Sequence, residues 1–223
     1  MSEPPVPTPG SLVIFDLDGT LIDSRHIMTA SFRAAHEQVV GSGIAPVEQF
    51  LGLLGKPFPD ILDELGLPGD MYDVFRGLSS ARVADIIVIP EAIEACRMLL
   101  ERDVDCALIT GKDRRRTEEI LAHHRLADLF SELVAGDDDI TGKPAPDGVV
   151  SICKRRGVEP THTVVVGDSW VDIAAGAAAG TLTAACGWGI GLKTELHAAA
   201  PDVFIDHPAD LFTEVHAMLA ELG

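Results

Sequence analysis

Short runs of consecutive apolar residues alternate with longer helical patterns along most of this chain. A run of consecutive apolar positions predicts a strand of parallel sheet that is buried on both faces. The runs lie at Ser11–Leu17, Val104–Ile109, Leu133–Ala135, Thr163–Val166, Thr181–Ala185 and Val203–Ile205.

Segments with apolar residues at helical spacing separate the later runs. They are Glu91–Arg102, Arg114–His124, Pro146–Arg156, Asp172–Ala179 and Pro208–Leu222. Strands that alternate with helices predict an α/β fold with a doubly wound, Rossmann-like parallel sheet. Sheets of this kind bind ligands at the carboxyl ends of their strands.

Residues 22–88 interrupt this alternation. They carry helical patterns without a strand pattern, at Ser24–Val40, Pro46–Leu54, Pro57–Leu65 and Gly69–Ser80. We therefore predict a small α-helical domain over residues 22–88, inserted after the first strand of a core formed by residues 11–21 and 89–223. The proline-rich residues 1–10 lack the basic start and apolar stretch of a signal peptide, so we interpret them as a flexible leader.

Composition narrows the possible partners. The chain is 47% hydrophobic, which indicates a globular protein, and its formal net charge of −18 argues against nucleic acid. No apolar run approaches the ~20 residues of a membrane span, and the four scattered cysteines fit reduced thiols in the cytoplasm. An anionic substrate would be repelled by this charge, so its site would need lysine or a bound metal.

The strongest chemical signal is Asp16-Leu17-Asp18-Gly19-Thr20, directly after the first predicted strand. Alternation along an extended segment places Asp16 and Asp18 on the same side. Two adjacent carboxylates can share a divalent cation, or act as nucleophile and general acid. Thr20 can fix a carboxylate through a hydrogen bond. An acidic turn at a strand end remains the alternative.

Two later segments offer groups that suit a phosphate. Thr110 and Gly111 follow the strand at 104–109 and place a hydroxyl and backbone donors at its tip. Lys143 lies between Gly142 and Pro144, and the nearby prolines restrict the backbone around this cation. An ordinary turn and a surface lysine are the respective alternatives.

A further pair of carboxylates follows the strand at 163–166. Asp168 lies at the strand tip beside Ser169, and Asp172 follows at helical spacing, so both carboxylates can face one site. Oxygen ligands of this kind suit Mg²⁺. Helix capping by Asp168 is the alternative.

Together these motifs resemble the haloacid dehalogenase-like hydrolase superfamily, in particular its phosphoglycolate phosphatase-type phosphatases. The matching elements are DxDGT at 16–20, the strand-end Thr110, the KPxPD segment that begins at Lys143, and GDxxxD at 167–172. As a set they are specific, although each one alone is weak.

The resemblance implies a role for each matching residue. Asp16 would be the nucleophile and Asp18 the general acid and base, with Thr110 and Lys143 holding the phosphoryl group. Mg²⁺ would be bound by Asp16, the Asp18 carbonyl and Asp168, with support from Asp172. The inserted helices would form a mobile cap, and the expected reaction is hydrolysis of a small phosphate monoester, by default 2-phosphoglycolate or a similar metabolite.

Some assignments stay open at this point. A phosphomutase of the same superfamily, or a non-catalytic binding protein with this fold, are the alternative functions. Lys56, between two predicted helices, is either a contact for a second anionic group of the substrate or a solvated lysine. Thr20, Gly111 and Ser169 are the other candidate substrate contacts, and Arg114 to Arg116 are interpreted as a charged helix face. The composition hints at a bacterial source, and the sequence leaves the oligomeric state open.

Overall fold

The computed structural model describes residues 10–222. The predicted leader, apart from Gly10, lies outside this range. None of the helices within the range combines the length and the apolar character that a bilayer span requires.

Eight strands lie within residues 10–222. In chain order they are β1 (Leu12–Phe15), β2 (Ile22–Asp23), β3 (Ile87–Val88), β4 (Asp105–Ile109), β5 (Leu133–Val134), β6 (Thr163–Gly167), β7 (Leu182–Cys186) and β8 (Val203–Ile205). Six of them form a parallel sheet in the order β5-β4-β1-β6-β7-β8. The predicted doubly wound α/β fold is therefore confirmed.

Ten α-helices lie in the same range. They are α1 (Arg25–Val39), α2 (Val47–Gly52), α3 (Phe58–Glu64), α4 (Met71–Ser80), α5 (Pro90–Leu100), α6 (Arg114–His124), α7 (Asp147–Arg156), α8 (Trp170–Ala179), α9 (Lys193–Ala198) and α10 (Leu211–Ala220). The sequence analysis did not predict α9. This helix has six residues and buries only Leu196, so it carries no detectable period.

The sheet is covered on both faces. Along β1, Val13 and Phe15 belong to one apolar cluster, whereas Leu12 and Ile14 belong to another. Successive side chains of a strand point to opposite faces, so these clusters lie on opposite sides of the sheet. Helices α5 and α10 contribute to the first cluster, and α7 and α8 contribute to the second.

Helices α1 to α4 occupy the segment between β2 and β3 and share an apolar cluster of their own. Phe32 stacks on Phe50 at 4.2 Å between ring centroids, and Phe58 stacks on Phe75 at 4.1 Å. Ile190, from the loop after β7, also belongs to this cluster. The inserted helices therefore pack against the sheet domain next to the strand ends, while the proposed domain boundaries stay a prediction.

Two very short strands close the ends of the inserted segment. β2 and β3 pair antiparallel, with Ile22 opposite Val88 and Asp23 opposite Ile87. The sequence analysis found no strand in residues 22–88, and this was wrong at both ends. Strands of two residues are too short to show an alternating pattern, and Ile87 is 57% exposed.

Candidate active site

Three neighbouring strands end at one place. β1 lies between β4 and β6, and the chain leaves β1 at Asp16, β4 at Thr110 and β6 at Asp168. The Asp16 amide donates to the Val166 carbonyl at 2.8 Å, so the β1–β6 pairing continues into the site. In the sheet, β4 and β5 lie on one side of β1, and β6, β7 and β8 lie on the other. The strand order therefore reverses at β1, and such a switch point opens a crevice at the carboxyl ends of the strands.

Lys143 joins two carboxylates at this crevice. Its Nζ lies 2.5 Å from Asp16 Oδ1 and 2.5 Å from Asp172 Oδ1, and all three side chains are buried. Burial raises the pKa of Asp16 well above its usual range, although the charge of Lys143 opposes this. Burial would lower the pKa of Lys143, but Asp16 and Asp172 outweigh it and raise this pKa. The lysine therefore stays charged.

Asp168 is enclosed by backbone. Its Oδ2 accepts the amides of Ile190 at 2.5 Å and Gly191 at 3.1 Å. A Cβ on Gly19 would come within 2.1 Å of this carboxylate, and one on Gly189 within 2.3 Å. Glycine at these two positions lets the chain approach Asp168 closely. Burial, reinforced by the charge of Asp172, raises the pKa of Asp168 to about 7.

Asp172 has both carboxylate oxygens occupied. Oδ1 accepts from Lys143, and Oδ2 accepts the Ser169 amide at 3.0 Å and the Ser169 hydroxyl at 2.5 Å. The bond from the Ser169 amide is one half of a capping box at the start of α8, and in the other half the Ser169 side chain accepts from the Asp172 amide. Asp172 thus positions Lys143, and Ser169, a candidate substrate contact, holds Asp172.

Asp18 is held by two residues that the sequence analysis did not select. Ser24 Oγ donates to Asp18 Oδ1 at 2.5 Å, and Lys112 Nζ lies 3.0 Å from Asp18 Oδ2. Lys112 is buried, and burial lowers its pKa although Asp18 opposes this. Ser24 precedes α1 and Lys112 directly follows Thr110-Gly111, so their proximity to the motifs was a signal that could have identified them.

Three carboxylates form a group that fits a metal ion. One oxygen from each of Asp16, Asp168 and Asp172 lies within 4.8 Å of the others, and all three residues are buried. When all three carboxylates are ionised, Lys143 neutralises one of the charges and two remain in a buried place. A divalent cation with oxygen ligands would compensate this excess.

The remaining predicted residues lie around the same crevice. Thr110 is buried, and its hydroxyl accepts the Lys112 amide at 3.2 Å. A Cβ on Gly111 would come within 2.2 Å of the Lys56 carbonyl, so the loop before α3 rests on Gly111. The Thr20 hydroxyl is fully buried and makes no hydrogen bond to a carboxylate within residues 10–222, so the predicted bond from Thr20 to a carboxylate is wrong.

Lys56 contributes its backbone to this crevice, whereas its ammonium is bound elsewhere. Nζ lies 2.6 Å from Glu64 Oε2 and 5.4 Å from the centroid of the Trp170 ring. The suggested contact between Lys56 and a second anionic group of the substrate remains a prediction.

Arg116 requires a correction. The interpretation of Arg114 to Arg116 as a charged face is wrong for Arg116, which is 3% exposed, although the Arg115 side chain is 80% exposed. Arg116 Nε donates to Asp113 Oδ2 at 2.5 Å and Nη1 donates to Ser79 Oγ at 2.6 Å. Helix α4 packs over this turn of α6 and buries Arg116. The three consecutive arginines in the sequence do not indicate which of them a distant helix buries.

A cavity of about 30 Å³ connects these elements. Its wall includes Asp16, Asp18 and Thr110 from the strand ends, and its remaining lining is Met28, Leu54, Gly55, Lys56, Phe58, Ile61, Phe75, Gly111, Lys112 and Arg116. This volume has room for about two water molecules. The inserted helices therefore stand close over the carboxylates.

Comparison with known proteins places this site in a family. The model of the haloacid dehalogenase-like hydrolases matches residues 11–180. The chain belongs to this family. The match includes Asp16, Lys143 and Asp172, and so covers the carboxylate group and the lysine that joins it.

Individual relatives in the haloacid dehalogenase-like family cover nearly the whole chain. Phosphoglycolate phosphatase 1 of Pseudomonas aeruginosa is 30% identical over 211 residues, which are 90% of this chain and 78% of that protein. Pyrophosphatase PpaX of Oceanobacillus iheyensis is 28% identical and covers 91% and 95%. The crystal structure of a hydrolase from Pseudomonas syringae has a TM-score of 0.82, with 23% identity and coverage of 93% and 98%, and shows the same fold.

Proposed function

We propose that the chain is a Mg²⁺-dependent phosphatase that hydrolyses a small phosphate monoester through an aspartyl-phosphate at Asp16. The observation that carries this proposal is the buried contact of 2.5 Å between Lys143 and Asp16, next to two further carboxylates. It keeps the Asp16 carboxylate, which lines the cavity, beside a cation, and a nucleophile that attacks a phosphate dianion needs such an arrangement.

In the first half of the reaction, an Asp16 oxygen forms a bond to phosphorus while the bond to the leaving oxygen breaks. Asp18, protonated, gives its proton to the leaving oxygen. Ser24 and Lys112 hold the Asp18 carboxylate in place, and Lys143 and Thr110 orient the phosphoryl oxygens. Phosphoryl transfer depends mostly on such positioning and on charge stabilisation.

In the second half, Asp18 accepts a proton from water and the water oxygen bonds to phosphorus. The bond from phosphorus to Asp16 breaks, inorganic phosphate leaves, and both carboxylates return to their initial states. Asp16, Asp168 and the Asp18 carbonyl would hold Mg²⁺, with support from Asp172. When bound, Mg²⁺ supplies positive charge that stabilises the phosphoryl oxygens.

The names of two relatives support a small substrate. One is called a phosphoglycolate phosphatase and the other a pyrophosphatase, and both are bacterial. We take 2-phosphoglycolate or a similar small phosphorylated metabolite as the default substrate. A bacterial, cytoplasmic enzyme agrees with these relatives and with the four buried cysteines, which carry free thiols.

The test is phosphate release from a panel of small phosphate monoesters and pyrophosphate by purified protein, first stripped with a chelator and then supplied with Mg²⁺. We expect release only after Mg²⁺ is added. The Asp168→Asn variant should lose this response because it removes one of the clustered carboxylate charges. Asp128→Asn changes an exposed aspartate in the segment between α6 and β5 and is the matched control.

Release that is equally fast without a divalent cation would contradict the metal requirement. No release from any member of the panel would contradict the phosphatase proposal. A phosphomutase would instead convert one phosphate ester into another with little net phosphate, and product analysis of the same samples distinguishes it.

A further inference from the structure

Two buried cations other than Lys143 border the cavity at the strand ends. Lys112 is 8% exposed and Arg116 is 3% exposed, and both border the same 30 Å³ space as Asp16 and Asp18. Burial of a cation costs free energy unless anions or hydrogen-bond acceptors compensate it. Lys112 pairs with Asp18 and Arg116 pairs with Asp113, so each cation has one carboxylate partner. The proposed chemistry at Asp16 uses neither cation to hold the transferred phosphoryl group.

Neither cation has all of its donors engaged. The Lys112 ammonium has three donors, and its contact within residues 10–222 is Asp18. Arg116 uses Nε for Asp113 and Nη1 for Ser79, whereas Nη2 has no hydrogen bond in the described part of the chain. Nη2 is not among the fully enclosed, unpartnered atoms of residues 10–222, and Arg116 borders the cavity. Donors therefore remain for an acceptor in the cavity.

The rest of the cavity wall is mostly apolar. Met28, Phe58, Ile61 and Phe75 come from the inserted helices and offer no charged group. The Phe75 ring lies 5.2 Å from the Arg116 guanidinium carbon and holds it at the cavity edge. An anion that enters beside Asp16 and Asp18 would therefore meet Lys112 and Arg116.

We propose that Lys112 and Arg116 bind a second anionic group, a carboxylate or a phosphate, carried by the leaving group of the substrate. This inference rests on the proposed phosphatase function and narrows its substrate class. Lys112 contacts Asp18, the proposed proton donor to the leaving oxygen, so the leaving group is compact and holds its anion a few bonds from the scissile oxygen. Phosphate esters with a neutral leaving group would leave both cations buried without this partner.

A purely structural role for Arg116 makes a different prediction. Its bond to Ser79 links α6 to α4, so its loss could loosen the inserted helices over the site. Such loosening would slow the hydrolysis of every phosphate ester alike. Recognition of an anion would instead lower the preference for anionic over neutral leaving groups.

The experiment compares kcat/KM for three substrates: 2-phosphoglycolate, 2-hydroxyethyl phosphate and pyrophosphate. The first two differ mainly in a carboxylate, and the third carries a second phosphate. We expect the wild type to prefer 2-phosphoglycolate, pyrophosphate or both over 2-hydroxyethyl phosphate. The expected ratio of kcat/KM is about 10- to 100-fold, the range for a hydrogen bond to a charged group. The preferred member identifies which anion the cations bind.

The variants Arg116→Met and Lys112→Met should each lower this preference by about tenfold or more, and Arg116→Lys should restore part of it. Arg115→Met is the matched control, since Arg115 is exposed and pairs with Glu119, and it should keep the wild-type preference. Equal losses on anionic and neutral substrates would overturn the inference and indicate a structural role.

The wild type alone also decides the question if a variant does not fold. Glycolate should inhibit the hydrolysis of 2-hydroxyethyl phosphate competitively, and ethylene glycol at the same concentration should not. Hydrolysis of the neutral ester as fast as the anionic substrates would overturn the inference but leave the phosphatase proposal intact. Absence of phosphate release from all three substrates and from the wider panel would overturn the phosphatase proposal itself.

Discussion

Lys143 Nζ and Asp16 Oδ1 lie 2.5 Å apart, although 127 residues separate them in the chain. The same ammonium contacts Asp172 at 2.5 Å, so one lysine links the segment after β1 to the first turn of α8. The charge of Lys143 opposes the rise in the pKa of Asp16 that burial causes, and the contact orients the proposed nucleophile inside a buried crevice. The predictions below test its parts separately.

Replacement of Lys143 by methionine should lower both activity and stability. The variant removes the charge that faces the phosphoryl group, and we expect kcat to fall by about 10²- to 10³-fold. It also leaves Asp16 and Asp172 buried without their cation, which should cost about 3–5 kcal/mol of unfolding free energy. Steady-state kinetics and urea denaturation measure the two effects. Lys154→Met, at an exposed position of α7, is the control and should change neither quantity appreciably.

Glycine at position 19 should be needed for more than its backbone conformation. Gly19 has φ +95°, and a Cβ there would come within 2.1 Å of Asp168 Oδ2. Gly43 has φ +81° and open space around it, so Gly43→Ala carries a similar backbone strain without a clash. We expect Gly19→Ala to cost about 1–3 kcal/mol more than Gly43→Ala in urea denaturation. Equal costs would show that Asp168 does not need the close approach.

The Ser169→Ala variant should show whether Ser169 acts as a helix cap or contacts the substrate. The variant removes the hydroxyl that donates to Asp172 Oδ2 but keeps the Ser169 backbone donor and the Lys143 contact. Loss of a capping side chain costs about 1 kcal/mol, so the midpoint of urea unfolding should decrease accordingly. Because Asp172 keeps its other bonds, kcat should change by less than about tenfold. A larger fall in kcat with unchanged stability would assign Ser169 to the substrate instead.

Stabilisation by Mg²⁺ should increase with pH. The pKa of Asp168 is about 7 in the folded chain, above its ordinary value of 3.8, so the folded protein retains a proton that the unfolded chain has lost. The metal-free protein therefore loses stability as the pH rises from about 4 to about 7. A metal binds ionised carboxylates, so protons compete with it below about pH 7.

Thermal unfolding with and without Mg²⁺, at about pH 5.5 and about pH 8, measures this effect. The shift in Tm should be larger at the higher pH and absent in Asp168→Asn. A shift that is the same at both pH values, or that persists in the variant, would place the ion elsewhere.

The strand ends were predictable because parallel topology constrains them. Asp16, Thr110 and Asp168 each follow a buried apolar run, and consecutive parallel strands end at one edge of the sheet. The contact of Lys143 with Asp172 was harder to predict from the sequence, since it depends on the conformation of the loop after β5. The sequence shows a lysine among prolines and gives no information on which carboxylates it reaches.

The cover over the site could not be predicted from local patterns. Arg116 and Lys112 are charged residues in a polar segment, and such residues are usually exposed. The burial of Arg116 depends on Phe75 and Ser79 of α4, which lie more than thirty residues earlier in the chain. The pairing of β2 with β3 was not predicted for a similar reason. Each strand contributes only two residues, and the two segments are far apart in the sequence.

The most direct test of the account is to locate the covalent phosphoryl group. The protein is mixed with Mg²⁺ and the best substrate of the panel, quenched in acid during turnover, digested and examined by mass spectrometry. The account predicts one phosphoryl group on the peptide that contains Asp16, and neither this adduct nor phosphate release in Asp16→Asn. Phosphate release by Asp16→Asn at the wild-type rate, or a phosphoryl group on another residue, would contradict it.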